Sequence, residues 1–308
     1  MTTILPATEP GLARAAELLA AGQVVAVPTE TVYGLAARAD SEEAVAAIYR
    51  AKGRPAFNPL IVHVATADMA RRLGVFDERA DLLAQHFWPG PLTLVLPLRE
   101  GSGVVPAVTA GLGTIGLRVP AHPVMHALLE QLGLPLAAPS ANRSLGVSPT
   151  SPEHVALSLG QDVPAILDGG ACERGLESTI VALRPDGTWS LLREGPVTRA
   201  ELAELLGLAP VDSRGIEAPG QMARHYAPGK PVRLNAGAAL ADEFLIGFGP
   251  VAGDCSLSES GDLAQAASRL YACLHLAAAS GQPRIAVAPV PEAGIGAAIN
   301  DRLRRAAA

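Results

Sequence analysis

The segment GLARAAELLAAGQVVAVP, from Gly11 to Pro28, constrains the fold most strongly. Its apolar residues recur with helical period as far as Ala21, Gly22 follows as a C-terminal cap, and VVAVP then reads as a buried strand. A helix feeding directly into a buried strand opens an α/β fold, and the alternation continues. Ser41 heads SEEAVAAIYRAKG as an N-cap with glutamates directly behind it, and PLIVHV follows as a second strand. PLTLVLPL, TIGLRVP, PLAAPS, STIVAL and WSLLREG read as further strands. PVMHALLEQLG, SPEHVALSLG and TRAELAELLG read as helices. Some of the strands are joined by connections too short for a helix, which predicts a mixed sheet.

A chain of 308 residues is long for a single core, and the domain-size prior gives two units. Past Gly207, LAPVDSRGIEAPGQMARHYAPGKP loses periodicity for a length unusual inside a compact domain. The expected division is therefore residues 1–208, a linker or functional loop over 209–230, and a smaller unit over 231–308. In the last of these, VRLN, EFLIGFGP and RIAVAPV read as strands, with helices at GDLAQAASRLYACLHLAAASG and GIGAAINDRLRRAAA. That order describes a small Rossmann-like α/β domain.

Composition narrows the function. A formal net charge of -6 argues against a protein that coats nucleic acid, although it leaves room for a local basic pocket. Cys172, Cys255 and Cys273 are far apart and odd in number, so they suggest neither a disulfide framework nor a zinc site. The N-terminal stretch lacks a basic region followed by an apolar one, and no run of about 18 apolar residues occurs anywhere, so a soluble cytoplasmic protein is expected.

Several short segments could carry chemistry. Thr29, Thr31 and Tyr33 alternate with Glu30 directly after a buried strand, where open α/β sheets bind ligands; the threonines either grip a polar substrate or cap the next segment. Lys52 and Arg54 flank Gly53, whose bare backbone would allow a ligand to approach. Phosphate is their natural guest, although a helix C-terminus attracts cations for its own reasons and no G-x-x-x-x-G-K-[ST] loop is present. His63 shares a strand face with Ile61 and is either a core histidine or an orienting group for a substrate. Arg118 stands in an apolar strand and needs an anionic partner, from the chain or from a ligand, with a ligand slightly favoured. The loop LAAPSANRSLGVSPT offers Ser140, Asn142, Ser144, Ser148 and Thr150 for binding, without the context of a nucleophilic serine. Ser178, Thr179 and Arg193 mark two strand termini, as site residues or equally as turn or surface residues, and His225 with Tyr226 forms an aromatic pair that either closes over a ligand or anchors the two units to each other.

PTETVYGL, KGRP with NPLIVHV, WPGPLTLVL, IGLRVP, APSAN, ESTIV and LREG stand in the order and spacing of the YrdC-like family. With the later HYAP and GIGAAINDRLRRAA, the chain resembles the long, two-domain form of that family over nearly its whole length. The resemblance implies a YrdC-like twisted mixed sheet flanked by helices, plus the Rossmann-like C-terminal domain. It also implies a nucleotidyl transfer in which L-threonine, bicarbonate or CO2, and ATP give L-threonylcarbamoyl-AMP, pyrophosphate and water. Separate transferase proteins would then pass the threonylcarbamoyl group to the adenosine following the anticodon of tRNAs, with little direct tRNA binding by this chain. By the same resemblance Thr31, His63, Arg118, Ala138 and Ser178 would line the threonine side. Lys52, Arg54, Asn58, Thr114, Ser140, Asn142, Ser148 and Arg193 would hold ATP, with Tyr226 covering it and Mg2+ bound through the phosphates. Catalysis would fall to Lys52, Arg54, Ser140 and Asn142. One departure is local: the family often has glycine directly after the serine at 144, and here Leu145 intervenes before Gly146. An RNA-binding module and a carbamoyltransferase are the rival readings; the acidic balance opposes the first and the lack of further catalytic domains the second.

Overall fold

In the computed structural model of the protein, the residues described are 2–55, 58–213, 215, 217–219 and 225–308. Part of the expected linker, residues 214, 216 and 220–224, lies outside them. Ten strands form one sheet: β1 (Thr3–Pro6), β2 (Val25–Val27), β3 (Gly34–Arg38), β4 (Ile61–His63), β5 (Leu92–Pro97), β6 (Thr114–Arg118), β7 (Leu136–Ala137), β8 (Ala165–Asp168), β9 (Thr179–Leu183) and β10 (Trp189–Arg193). Their spatial order is β1-β8-β2-β3-β7-β4-β6-β5-β9-β10. The pairs β1/β8, β2/β8, β4/β6 and β5/β9 are parallel and the other five antiparallel, so the sheet is mixed as the short connections predict.

Helices cover both faces. On one, the helix Glu42–Lys52 begins at Ser41, whose side chain accepts from the Ala44 amide, and buries Val45 and Ile48 against Tyr33, Leu35 and Val62. On the other, Leu18 and Leu19 of the helix Glu9–Ala20 meet Leu128 and Leu129 of Pro123–Leu132. The sequence pattern predicts neither β1, β3 nor β8. β3 reads GLAAR, without a β-branched residue, and is a strand because β2 and β7 pair with it on both sides.

A second sheet of four parallel strands follows: β11 (Val232–Arg233), β12 (Glu243–Gly247), β13 (Cys255–Ser256) and β14 (Arg284–Val287), in the order β11-β14-β12-β13. The helices Leu263–Ala279 and Gly296–Ala306 pack on it. Val32, Val147 and Leu176 of the first unit belong to the same buried cluster as Leu270, Leu274 and Ile299 of the second, so the two sheets share an apolar seam. Among the described residues no helix is long and apolar enough to cross a membrane.

Candidate functional site

The site forms where strands of the large sheet end beside that seam. β4 and β6 run parallel with His63 opposite Arg118, and each of these residues is only 3% exposed. Arg118 does not wait for a ligand anion. Its Nη2 donates to Glu30 Oε1 at 2.6 Å, Nη1 to Thr31 Oγ1 at 3.0 Å and Nε to the Gly90 carbonyl at 3.1 Å. The leaning toward a ligand as its counter-charge is therefore corrected: a guanidinium this deeply buried needs a resident carboxylate, and Glu30 supplies it. His63 is the opposite case. Burial, then the neighbouring Arg118, pushes its imidazole down to about 3, so the ring is neutral, and its buried Nδ1 has no hydrogen-bond partner among the described residues.

The three alternating hydroxyls divide. Thr29 Oγ1 donates to the Val32 carbonyl at 2.7 Å and accepts from the amides of Thr31 and Val32, both at 3.2 Å, which folds the turn that presents Thr31. Thr29 thus serves as the cap that was one of its two readings, and still lines the cavity. Tyr33 turns away and binds the Gly170 carbonyl at 2.8 Å.

On the other wall, the helix Glu42–Lys52 ends at Gly53, whose φ of 58° lets the chain reverse. A side chain at Gly53 would meet nothing within 4 Å, so packing does not call for glycine there, whereas the left-handed φ of the helix cap does. Lys52 is 2% exposed, and its ammonium holds the carbonyls of Ser140 and Asn142. Burial, reinforced by Arg54, drives its pKa well below the ordinary lysine value. Arg54 donates to the Asn58 and Pro59 carbonyls, and burial lowers its pKa as well. Asn142 binds the carbonyls of Arg143 and Gly146 at 2.8 and 2.9 Å, closing the loop, while its buried Oδ1 has no partner among the described residues. Leu145 adopts a φ of 71°, the left-handed conformation that glycine takes freely, and its carbonyl accepts from the Ala227 amide at 2.8 Å. The family departure thus falls at a strained position that ties this loop to the linker.

Thr31, Arg54, His63, Arg118, Ala138, Ser140, Ser178, Arg193 and Tyr226 all line one cavity. Arg193 donates from Nε to the Ser178 carbonyl at 3.0 Å and from Nη2 to Ser178 Oγ at 3.1 Å. Lys52, Asn58, Asn142 and Ser148 are buried one layer behind the surface of the cavity. Thr114 faces an adjoining crevice with Pro59, Ile61 and Pro219. The sequence reading misses Glu177, the only carboxylate among the described residues that line the cavity, although it stands directly before Ser178 in LEST. Burial alone would raise its pKa, but Arg302, Arg193 and the hydroxyls of Ser148 and Tyr271 outweigh burial and hold it at about 2. No ion pair forms to Lys52, Arg54 or Arg193 among the described residues, and no cluster of three or more His, Cys, Asp or Glu is placed to hold a metal.

The strand ends of a mixed α/β sheet here pair a charge-balanced polar wall with a cation-rich one, the arrangement of an α/β ligand-binding site that can seat a small polar group beside a phosphate-bearing one. Residues 17–195 match the Sua5/YciO/YrdC family model, described as telomere recombination, and residues 197–308 match that of the threonylcarbamoyl-AMP synthase C-terminal domain. The threonylcarbamoyl-AMP synthase of Bacillus subtilis is 43% identical over 254 residues, covering 80% of this chain and 72% of the relative. That of Pyrococcus abyssi is 39% identical over 320 residues, covering 95% and 92%. The crystal structure of P. abyssi Sua5 complexed with L-threonine superposes with a TM-score of 0.90 at 36% identity, over 100% of this chain and 97% of that one. The chain belongs to the two-domain threonylcarbamoyl-AMP synthase family.

Proposed function

We propose that this protein converts L-threonine, bicarbonate or CO2, and ATP into L-threonylcarbamoyl-AMP, pyrophosphate and water, for N6-threonylcarbamoyladenosine formation in tRNA. The observation that carries the reading is the contrast within one cavity. Arg118 is already neutralised by Glu30, whereas Lys52, Arg54 and Arg193 have no ion-pair partner among the described residues. Phosphates supply the missing charge.

Threonine sits against Thr31, His63, Arg118, Ala138 and Ser178. Arg118 meets its carboxylate with the donor capacity that Glu30, Thr31 and Gly90 leave over, because a guanidinium carries five N–H groups and three are used. His63, held neutral, can accept from the substrate amine or hydroxyl without adding charge. An oxygen of the carbamate formed on the threonine amine attacks the α-phosphate, and the bond to the bridging oxygen breaks as pyrophosphate leaves. Positioning and charge neutralisation carry this step more than a strong general base. Arg54 and Arg193 face the phosphates directly; Lys52 acts from behind, holding the Ser140–Asn142 carbonyls in place. Asn58, Ser148 and Thr114 complete the nucleotide side, and Tyr226 covers it. With no protein cluster placed to hold a metal among the described residues, Mg2+ would be carried by the ATP phosphates and would add to the neutralisation that Arg54 and Arg193 supply there. Residues 1–208 form the catalytic unit, 209–230 the linker, whose Pro219, His225 and Tyr226 line the cavity, and 231–308 the C-terminal domain. The labile product passes in the cytoplasm to separate transferase proteins that bind the tRNA.

The test is incubation of the purified protein with ATP, labelled bicarbonate and threonine. Threonylcarbamoyl-AMP and pyrophosphate form together. Folded protein that releases no threonine-dependent pyrophosphate would overturn the reading.

A further inference from the structure

The nucleotide wall is backed by a polar cluster that crosses between the two sheets. Arg302, on the helix Gly296–Ala306, is 0% exposed. Its Nε donates to Glu177 Oε2 at 3.1 Å, Nη1 to Asp301 Oδ2 at 2.7 Å and Nη2 to the Glu194 carbonyl at 2.9 Å. Tyr271, on the helix Leu263–Ala279, donates to the same Glu177 oxygen at 2.8 Å, and Ser148 Oγ donates to the other at 2.5 Å. Both carboxylate oxygens are thus occupied, one of them from the C-terminal domain alone. Tyr226 completes the cluster, its ring centroid 5.4 Å from the Arg302 guanidinium carbon and 5.6 Å from the Tyr271 ring. The approach to Glu177 is equally tight: a Cβ at Gly175 would lie 2.5 Å from Ser268 of the C-terminal domain.

A carboxylate that lines a phosphate site is a liability, because it repels the ligand and competes for the cations meant to hold it. Glu177 is that carboxylate, and among the cations lining the cavity Arg193 is the one that feels its charge. We propose that Arg302 and Tyr271 are positioning residues for ATP: by tying down Glu177 and seating Tyr226, they keep Arg193 and Arg54 free for phosphate. The C-terminal domain thereby completes a site whose ligand-facing groups lie mostly on the other domain. This rests on the assignment of the cation-rich wall to ATP.

The experiment is ATP titration of the full chain by calorimetry. Arg302→Met weakens binding by about tenfold, the size expected when a charge-assisted contact is turned against the ligand. Adding Glu177→Gln to the same chain restores affinity to within about threefold of wild type, since the competing carboxylate is gone. Tyr271→Phe loses about threefold and is rescued in the same way, and it decides the matter if Arg302→Met does not fold. Unchanged affinity in the folded single variants, or a double variant no tighter than its single, overturns the proposal. Wild-type protein that does not bind ATP overturns the assignment of the wall instead.

Discussion

The two walls of the cavity are built in opposite ways. The wall proposed for threonine rests on the ends of β4, β6 and β9 in a sheet covered on both faces, and its cation Arg118 is paired within the chain. The wall proposed for the nucleotide is assembled from a helix end, the loop 140–148, β10 and a linker residue, and its cations are satisfied mainly by carbonyl dipoles. A zwitterionic amino acid needs directed contacts with little net field, and a site balanced by Glu30 gives that. A polyanion needs surplus positive charge, which is costly to bury and is tolerated here because main-chain oxygens solvate it.

The most severe way to break the contrast is to unbalance the fixed wall. Glu30→Gln leaves the Arg118 charge buried without its carboxylate, so stability should fall by about 3–5 kcal/mol, read by urea denaturation. A loss below about 1 kcal/mol would show that Arg118 is not dependent on Glu30. Lys52→Met removes charge from the other wall: turnover with ATP should drop about 100-fold in folded protein, and wild-type rates would remove Lys52 from the site.

Acidity tests the burial behind the contrast group by group. His63, His225 and His275 are pushed, chiefly by burial, to about 3, 3 and 4 from an ordinary value near 6.5. The unfolded chain therefore binds more protons below pH 6.5, so their contribution to stability is complete above that pH and is lost as pH falls toward 4 and 3. Glu177, depressed to about 2 from 4.5, adds a separate loss between those two values. Each group contributes a slope of at most about 1.4 kcal/mol per pH unit, measurable as falling denaturation midpoints from pH 6.5 to 4. A flat profile over that range would mean that the histidines are solvated. The smallest effect is a gain. Leu145→Gly relieves a left-handed φ of 71° and should stabilise the protein by about 1 kcal/mol, and a loss would mean that the Leu145 side chain has a packing role.

Much of this was legible in the sequence because it is encoded locally. Ser41, the apolar runs and the capping glycines announce their elements within a few residues, and nine of the fourteen candidate site residues line one cavity. What escaped is non-local. β3 is a strand by virtue of its neighbours, and the bond between Glu177 and Arg302 spans 125 positions. Glu30 lies next to Thr31 in sequence, yet its role as partner to Arg118 depends on a register 88 residues away. Gly53 was legible as special, and its left-handed cap conformation supplies one reason, since backbone reversal and ligand approach call for the same residue.

The division of labour between the walls is tested most directly by titrating Arg54→Ala separately with ATP and with threonine. Among the described residues the hydrogen bonds of Arg54 go to carbonyls and it has no ion pair, so the variant should fold. ATP binding should weaken by about 100-fold while threonine affinity stays within about twofold of wild type. Equal losses for both ligands, or none for ATP, would contradict the account.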